Sequence, residues 1–252
     1  MKYYTRAKFA LRPKAILFDL DNTVYPYEPA HKKASQLVQD KVTSAYMISK
    51  DNFLEANREA KTQIKKQLGH TASSHSRLLY FQRTLELLGL SAQLLSALDL
   101  EQTYWRSFLL EAKLFDNVIE TFNEIRLHGI PLVCVTDLTA QIQMRKIIHF
   151  GLDKFIDYLV TSEESGADKF HSASYELALT KLGLCDGPCW MVGDNPETDI
   201  VGARDAIDAV TIQKLHKGVK RSKEATPDAS FNDFRELLTL ITTIGNTKGI
   251  SN

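Results

Sequence analysis

Short apolar runs alternating with amphipathic helices constrain this chain more than any other feature. Ala15–Leu20 reads A-I-L-F-D-L, Pro131–Thr136 P-L-V-C-V-T and Tyr158–Thr161 Y-L-V-T. Cys189–Gly193 reads C-W-M-V-G and Ala209–Ile212 A-V-T-I. Runs this short and this continuously apolar predict strands buried on both faces. The spacing between them predicts helices over Val118–His128, Gln141–Phe150, Ser172–Leu182 and Thr198–Ala206. Gly129, Gly151 and Gly183 stop the first three. Such alternation gives an α/β fold with a doubly wound, Rossmann-like parallel sheet, which binds ligands at the carboxyl ends of its strands.

The alternation is interrupted once. Pro26 and Pro29 break the chain after the first strand, and no strand pattern appears from about Ala30 to Leu110. Leu37, Val38, Val42 and Tyr46 recur at helical spacing, as do Leu78, Leu79, Phe81, Leu85 and Leu88, with Gly89 as the stop. Residues 26–110 therefore read as an inserted all-α domain, and 1–25 with 111–252 as the core. Lys214–Asp228 reads as a polar surface loop, Phe234–Ile244 as a last helix stopped by Gly245, and Asn246–Asn252 as frayed.

Charge narrows the partners. Lys plus Arg and Asp plus Glu both number 31, so no global field draws the chain to a nucleic acid polymer or an anionic membrane. Any anionic ligand must be held by local groups. The apolar runs are too short to span a bilayer, and Met1–Pro13 has no signal core. The expectation is a cytoplasmic monomer or homodimer. Cys134, Cys185 and Cys189 suit no disulfide framework, and no second Cys/His pair completes a zinc site with Cys185 and Cys189. Cys134 reads as a core residue.

Chemistry-bearing residues fall where the strands end. The first strand delivers Asp19, Asp21 and Thr23, and the second Thr136 and Asp137. The fourth delivers Asp194, followed by Asp199, and Lys169 lies in the loop after the third. Residues i and i+2 of a strand share a face, so Asp19 and Asp21 would repel until a hard divalent cation such as Mg²⁺ relieved them. Asp19 and Asp194 suit that cation. Asp19 is then a nucleophile able to attack phosphorus, and Asp21 an acid/base serving the leaving oxygen and then water. Thr136 and Lys169 suit the phosphoryl oxygens. Each residue alone has a plainer reading. Thr136, Asp194 and Asp199 suit helix caps or turns, and Lys169 a solvated charge. Their joint placement at successive strand ends favours the chemical one.

F-D-L-D-N-T (Phe18–Thr23) resembles the first motif, D-x-D-x-T, of the haloacid dehalogenase-like superfamily. V-T-D (Val135–Asp137) resembles its second motif, Lys169 fits the third and V-G-D-N-P-E-T-D-I (Val192–Ile200) the fourth. The resemblance implies a Mg²⁺-dependent phosphatase acting on a small phosphorylated molecule, a nucleotide or a sugar phosphate. Asp19 would be nucleophile and metal ligand, and Asp21 the acid/base, ligating metal through its backbone carbonyl. Asp194 would ligate metal, with Asp199 and Thr23 supporting the site. Asp21 points to phosphoryl chemistry, because the dehalogenase branch lacks an acid there. D-N-T-V-Y-P (Asp21–Pro26) most resembles the branch holding pyrimidine 5′-nucleotidase-like members, and the insertion resembles a helical cap of the first type. Two departures stand out: Asp137 where many relatives have Asn, and Phe170 where Pro is common.

A cap of this kind closes over the core and selects the leaving group. Its polar candidates are His31, Gln39, His75, Arg77, Tyr80, Arg83 and Tyr104. For Arg77 the choice lies between contact with a sugar or second anionic group and a solvated helix face; the second is the expectation. Tyr25 and Tyr27 either touch substrate or pack, and Trp105 and Phe108 are expected to pack the cap hinge. The competing functions are a phosphomutase and a non-catalytic binding or regulatory protein on the same scaffold.

Overall fold

The computed structural model describes residues 1–184, 188–219 and 225–246. Two compact units emerge, Met1–Tyr25 with Lys113–Asn252, and Pro26–Ala112. In chain order, β1 (Lys2–Tyr3) and β2 (Ala15–Phe18) precede α1 (Tyr27–Tyr46), α2 (Lys50–Leu68), α3 (Arg77–Leu87) and α4 (Leu94–Glu111). Then come α5 (Val118–Leu127), β3 (Leu132–Thr136), α6 (Ala140–His149), β4 (Tyr158–Thr161), α7 (Ser162–Ser165) and α8 (Ala173–Leu182). The chain continues through β5 (Cys189–Gly193), a π-helical turn (Pro196–Gly202), α9 (Ala203–Ile207), β6 (Val210–Lys214), β7 (Ala229–Phe231) and α10 (Phe234–Asn246).

The strands form one seven-stranded sheet in the order β1-β7-β6-β5-β2-β3-β4. Among the described residues only the β1–β7 pair is antiparallel. β2 lies between β5 and β3, where the strand order reverses, and its carboxyl end is the natural ligand crevice. Its continuous apolar run follows from its place. Leu17 belongs to a core cluster with Val133, Val135, Met191, Tyr175 and Ala178. Phe18 meets the Phe122 ring of α5 edge-on at 4.9 Å.

Several expectations change. β2 ends at Phe18 rather than Leu20. Thr198–Ala206 is a π-helical turn followed by α9. The strand expected to be last is followed by β7, and β1 pairs with β7; both are too short to carry a periodicity signal. Lys214, expected in a surface loop, is the buried last residue of β6. Asp228, at the far end of that segment, is buried too and accepts hydrogen bonds from the Thr211 N–H and hydroxyl. Gly245 does not stop α10, which runs to Asn246. Residues 247–252 and Cys185 lie outside the described residues. Cys134 and Cys189 are buried free thiols. Among the described residues no helix is long and apolar enough to cross a membrane.

The helical unit pairs α1 with α4 and α2 with α3. Val38 and Val42 of α1, Phe53 of α2, Phe81 and Leu85 of α3, and Trp105 and Phe108 of α4 are buried. This is the 3.6-residue stripe by which amphipathic helices form a bundle core.

Leu17 is fully buried at the centre of the sheet, so Leu17→Ala should cost about 2–5 kcal/mol. Urea denaturation followed by far-UV circular dichroism checks this. A loss below about 1 kcal/mol would mean that β2 is not the central packing strand.

Candidate active site

The site starts where β2 stops. Beyond Phe18 the Asp19 N–H still donates to the Val192 carbonyl of β5 (3.0 Å), and the chain then turns back on itself. Asn22 takes the left-handed conformation (φ 63°) that Asn tolerates better than most residues. Val24 N–H closes on the Leu20 carbonyl at 3.1 Å. This turn brings the Thr23 hydroxyl to Asp19 Oδ2 at 2.9 Å.

Lys169 occupies the other side of Asp19. Its Nζ lies 2.6 Å from Asp19 Oδ1 and 2.7 Å from Asp199 Oδ1. Oxygens of Asp19, Asp194 and Asp199 all lie within 4.8 Å of one another. The π-helical turn opens with Asn195, whose Oδ1 caps the Glu197 N–H at 3.0 Å. Asn195 thus does the capping that Asp194 and Asp199 would otherwise do. Asp199 Oδ2 accepts from the Asn195 N–H at 3.0 Å. It presses so closely on Gly193 that a Cβ there would lie 2.3 Å from Asp199 Oδ2. Glycine is required at Gly193 for that close approach.

Three clustered carboxylates face one ammonium, which leaves a surplus of negative charge. Burial pushes Asp19 up to about 7, against the pull of Lys169. Burial raises Asp194 and Asp199 as well. Burial alone would lower Lys169, but Asp19 and Asp199 outweigh it and hold the amine firmly protonated. His216 Nε2 sits 3.1 Å from Asp194 Oδ2, and that bond raises the imidazole above its ordinary range. An all-oxygen donor set with excess negative charge fits a hard divalent cation such as Mg²⁺.

The two acids that follow β2, Asp19 and Asp21, do not share partners. The strand has ended before Asp21, so period-two alternation no longer applies. The Asp21 carboxylate binds Lys146 Nζ at 2.7 and 2.8 Å and accepts from the Tyr25 hydroxyl. It stands outside the Asp19–Asp194–Asp199 set, although its charge is still felt at Asp19. Tyr25 is therefore a packed, hydrogen-bonding support. Thr136 is buried at the end of β3, and no helix-cap bond involves it; Thr139 takes the N-cap position of α6. Gln143 Nε2 donates to Thr136 Oγ1 at 2.7 Å and to the Asp137 carbonyl at 2.6 Å. The unusual Asp137 accepts the Lys169 N–H at 2.9 Å, which sets the lysine loop, and Phe170 is exposed.

Lys146, Gln143 and His216 were not singled out by motif. Lys146 and Gln143 did leave a signal: both lie on the buried stripe of α6 with Ile142 and Ile147. A lysine and a glutamine on a core face need partners. His216 follows β6 in a stretch that reads as loop and carried no such mark.

Comparison with known proteins finds relatives along most of the chain. A family model described as haloacid dehalogenase-like hydrolase matches residues 13–206. The chain is 35% identical to ribulose-1,5-bisphosphate 5-phosphatase of Halopiger xanaduensis over 85% of its length and 89% of that protein. It is 28% identical to glyceraldehyde 3-phosphate phosphatase of Methanopyrus kandleri, over 90% and 97%. The crystal structure of 2-haloacid dehalogenase from Pseudomonas syringae pv. tomato superimposes with a TM-score of 0.69 at 19% identity, over 92% and 99%.

Asp194→Asn and Gly193→Ala should each weaken Mg²⁺ binding at least about tenfold, the first by removing charge and the second by displacing Asp199. Isothermal titration with MgCl₂ checks both. Unchanged affinity in both variants would place the cation elsewhere.

Proposed function

We propose that this chain, which belongs to the haloacid dehalogenase-like hydrolase family, is a phosphatase that removes phosphate from a small phosphorylated sugar through Asp19. The observation that carries the reading is the state of the Asp19 carboxylate. It is buried at the ligand edge of the sheet, with Lys169 on one oxygen and Thr23 on the other. A carboxylate so fixed is oriented for attack rather than left to search for its geometry.

In the first step Asp19 bonds to phosphorus, the ester P–O bond breaks, and the leaving oxygen takes a proton from Asp21. In the second, Asp21 takes a proton from water, the water oxygen bonds to phosphorus and Asp19 is released as carboxylate. Lys146 and Tyr25 act by holding Asp21 in place between these transfers. Gln143 donates to Thr136 Oγ1 and so positions that hydroxyl, which donates at 3.5 Å to the Asp137 carbonyl and would turn its proton to a phosphoryl oxygen of bound substrate. The Lys169 ammonium neutralises the phosphoryl group. Asp19, Asp194 and the Asp21 carbonyl would hold Mg²⁺, with Asp199 bracing the set. When bound, the cation supplies the positive charge that lets an anionic nucleophile meet an anionic phosphate.

Relatives named for ribulose 1,5-bisphosphate and glyceraldehyde 3-phosphate support a sugar phosphate as substrate over a nucleotide. The helical unit would act as the cap that admits it. Phosphate release from a panel of sugar phosphates and nucleotides tests the substrate class, with faster turnover expected for the sugar phosphates. Activity should vanish in EDTA and return with Mg²⁺.

Asp19→Asn should lower kcat by at least about a thousandfold while circular dichroism stays unchanged. Lys146→Met should lower kcat by about ten- to a hundredfold, with the larger loss on alkyl than on aryl phosphates, because only the poor leaving group needs the proton. Equal losses on both would detach Lys146 from the acid/base step.

A further inference from the structure

The helical unit contains a cavity of about 290 Å³, near the lower end of the range for small-ligand pockets. Arg77, Lys61 and His31 line it, together with the polar groups of Gln39 and Asn57. Arg77 is not on a solvated face, as its sequence context suggests. Its guanidinium lies 5.2–5.8 Å from the ring centroids of Tyr80, Tyr104 and Trp105. It donates to the Tyr27 hydroxyl and, at 2.9 Å, to the His75 carbonyl. Its Nε–H is buried with no acceptor among the described residues.

Among the described residues no carboxylate forms an ion pair with Arg77 or Lys61. Glu28 is the one acid lining the cavity; it is exposed, and among the described residues it forms no ion pair with Arg77 or Lys61. Burial, then repulsion from Arg77, lowers Lys61 to about 8. His31 falls to about 4 through burial and the nearby Arg77 and Lys61. His31 Nδ1 also lies 2.6 Å from the Tyr104 hydroxyl. Arg77, Lys61 and a neutral imidazole thus line one small, half-open cavity, with the exposed Lys32 as a further cation of its lining, and a buried charge without a counter-charge is costly. The missing element is an anion.

We propose that this cavity is an anion-binding site for a phosphate- or carboxylate-sized group, held by Arg77 and Lys61. Such a group comes either from a doubly anionic substrate or from a free anion. The first source rests on the phosphatase reading; the site itself does not.

Crystals of the full chain soaked in selenate test the site directly. Anomalous scattering should place a selenate within hydrogen-bond distance of Arg77 Nε and Lys61 Nζ in the wild type, absent in Lys61→Gln and restored in Lys61→Arg. An empty cavity at saturating selenate would overturn the proposal, whether or not the chain proves to be a phosphatase. Kinetics separate the sources. If Lys61→Gln raises KM about tenfold for a sugar bisphosphate and leaves p-nitrophenyl phosphate unchanged, the substrate supplies the anion. If selenate binds but both KM values hold, the ligand is a free anion.

Discussion

One buried ammonium organises the catalytic half of this molecule. Lys169 bridges Asp19 and Asp199 across the end of the sheet, in contacts of 2.6 and 2.7 Å. Removed from water, neither acid nor amine would be stable alone. The pairs fix one another, and the backbone has been shaped around them. Asp137 anchors the Lys169 N–H, the Asn195 N–H anchors Asp199, and Gly193 leaves room for the aspartate. The charge count stays unbalanced toward the negative. Burial therefore raises all three clustered acids, which is the electrostatic state that a divalent cation corrects.

A second ammonium gives Asp21 a separate role. Lys146 lies on the buried face of α6 and reaches Asp21, while Gln143, one helical turn earlier, reaches Thr136. One short helix thus reaches both Asp21 and Thr136, the residues proposed for acid/base work and for holding phosphate. Two carboxylates of one motif sit in different surroundings because each has its own lysine.

Much of this was legible in the sequence, for identifiable reasons. Continuous apolar runs marked β2, β3 and β5, since a strand covered on both faces leaves no polar alternation to confuse. Asp19, Lys169, Asp194 and Asp199 come together because strand ends of a parallel sheet share one edge. The errors have causes of equal clarity. Period-two spacing does not extend past Phe18 to Asp21, because the chain has already turned there. β1 and β7 are two and three residues long, and their existence depends on each other and on β6. The polar segment before α3 suggests a solvated Arg77; two of its three aromatic neighbours, Tyr104 and Trp105, lie far along the chain.

The central claim is that phosphate passes through a covalent bond to Asp19. The most direct measurement mixes enzyme, Mg²⁺ and a sugar phosphate, quenches within milliseconds in acid, reduces with borohydride and maps the peptides by mass spectrometry. An acyl phosphate reduces to an alcohol, so Asp19 should appear as homoserine while Asp21, Asp194 and Asp199 remain aspartate. Rapid turnover with no modification at Asp19, or with modification at another of these acids, would contradict the account.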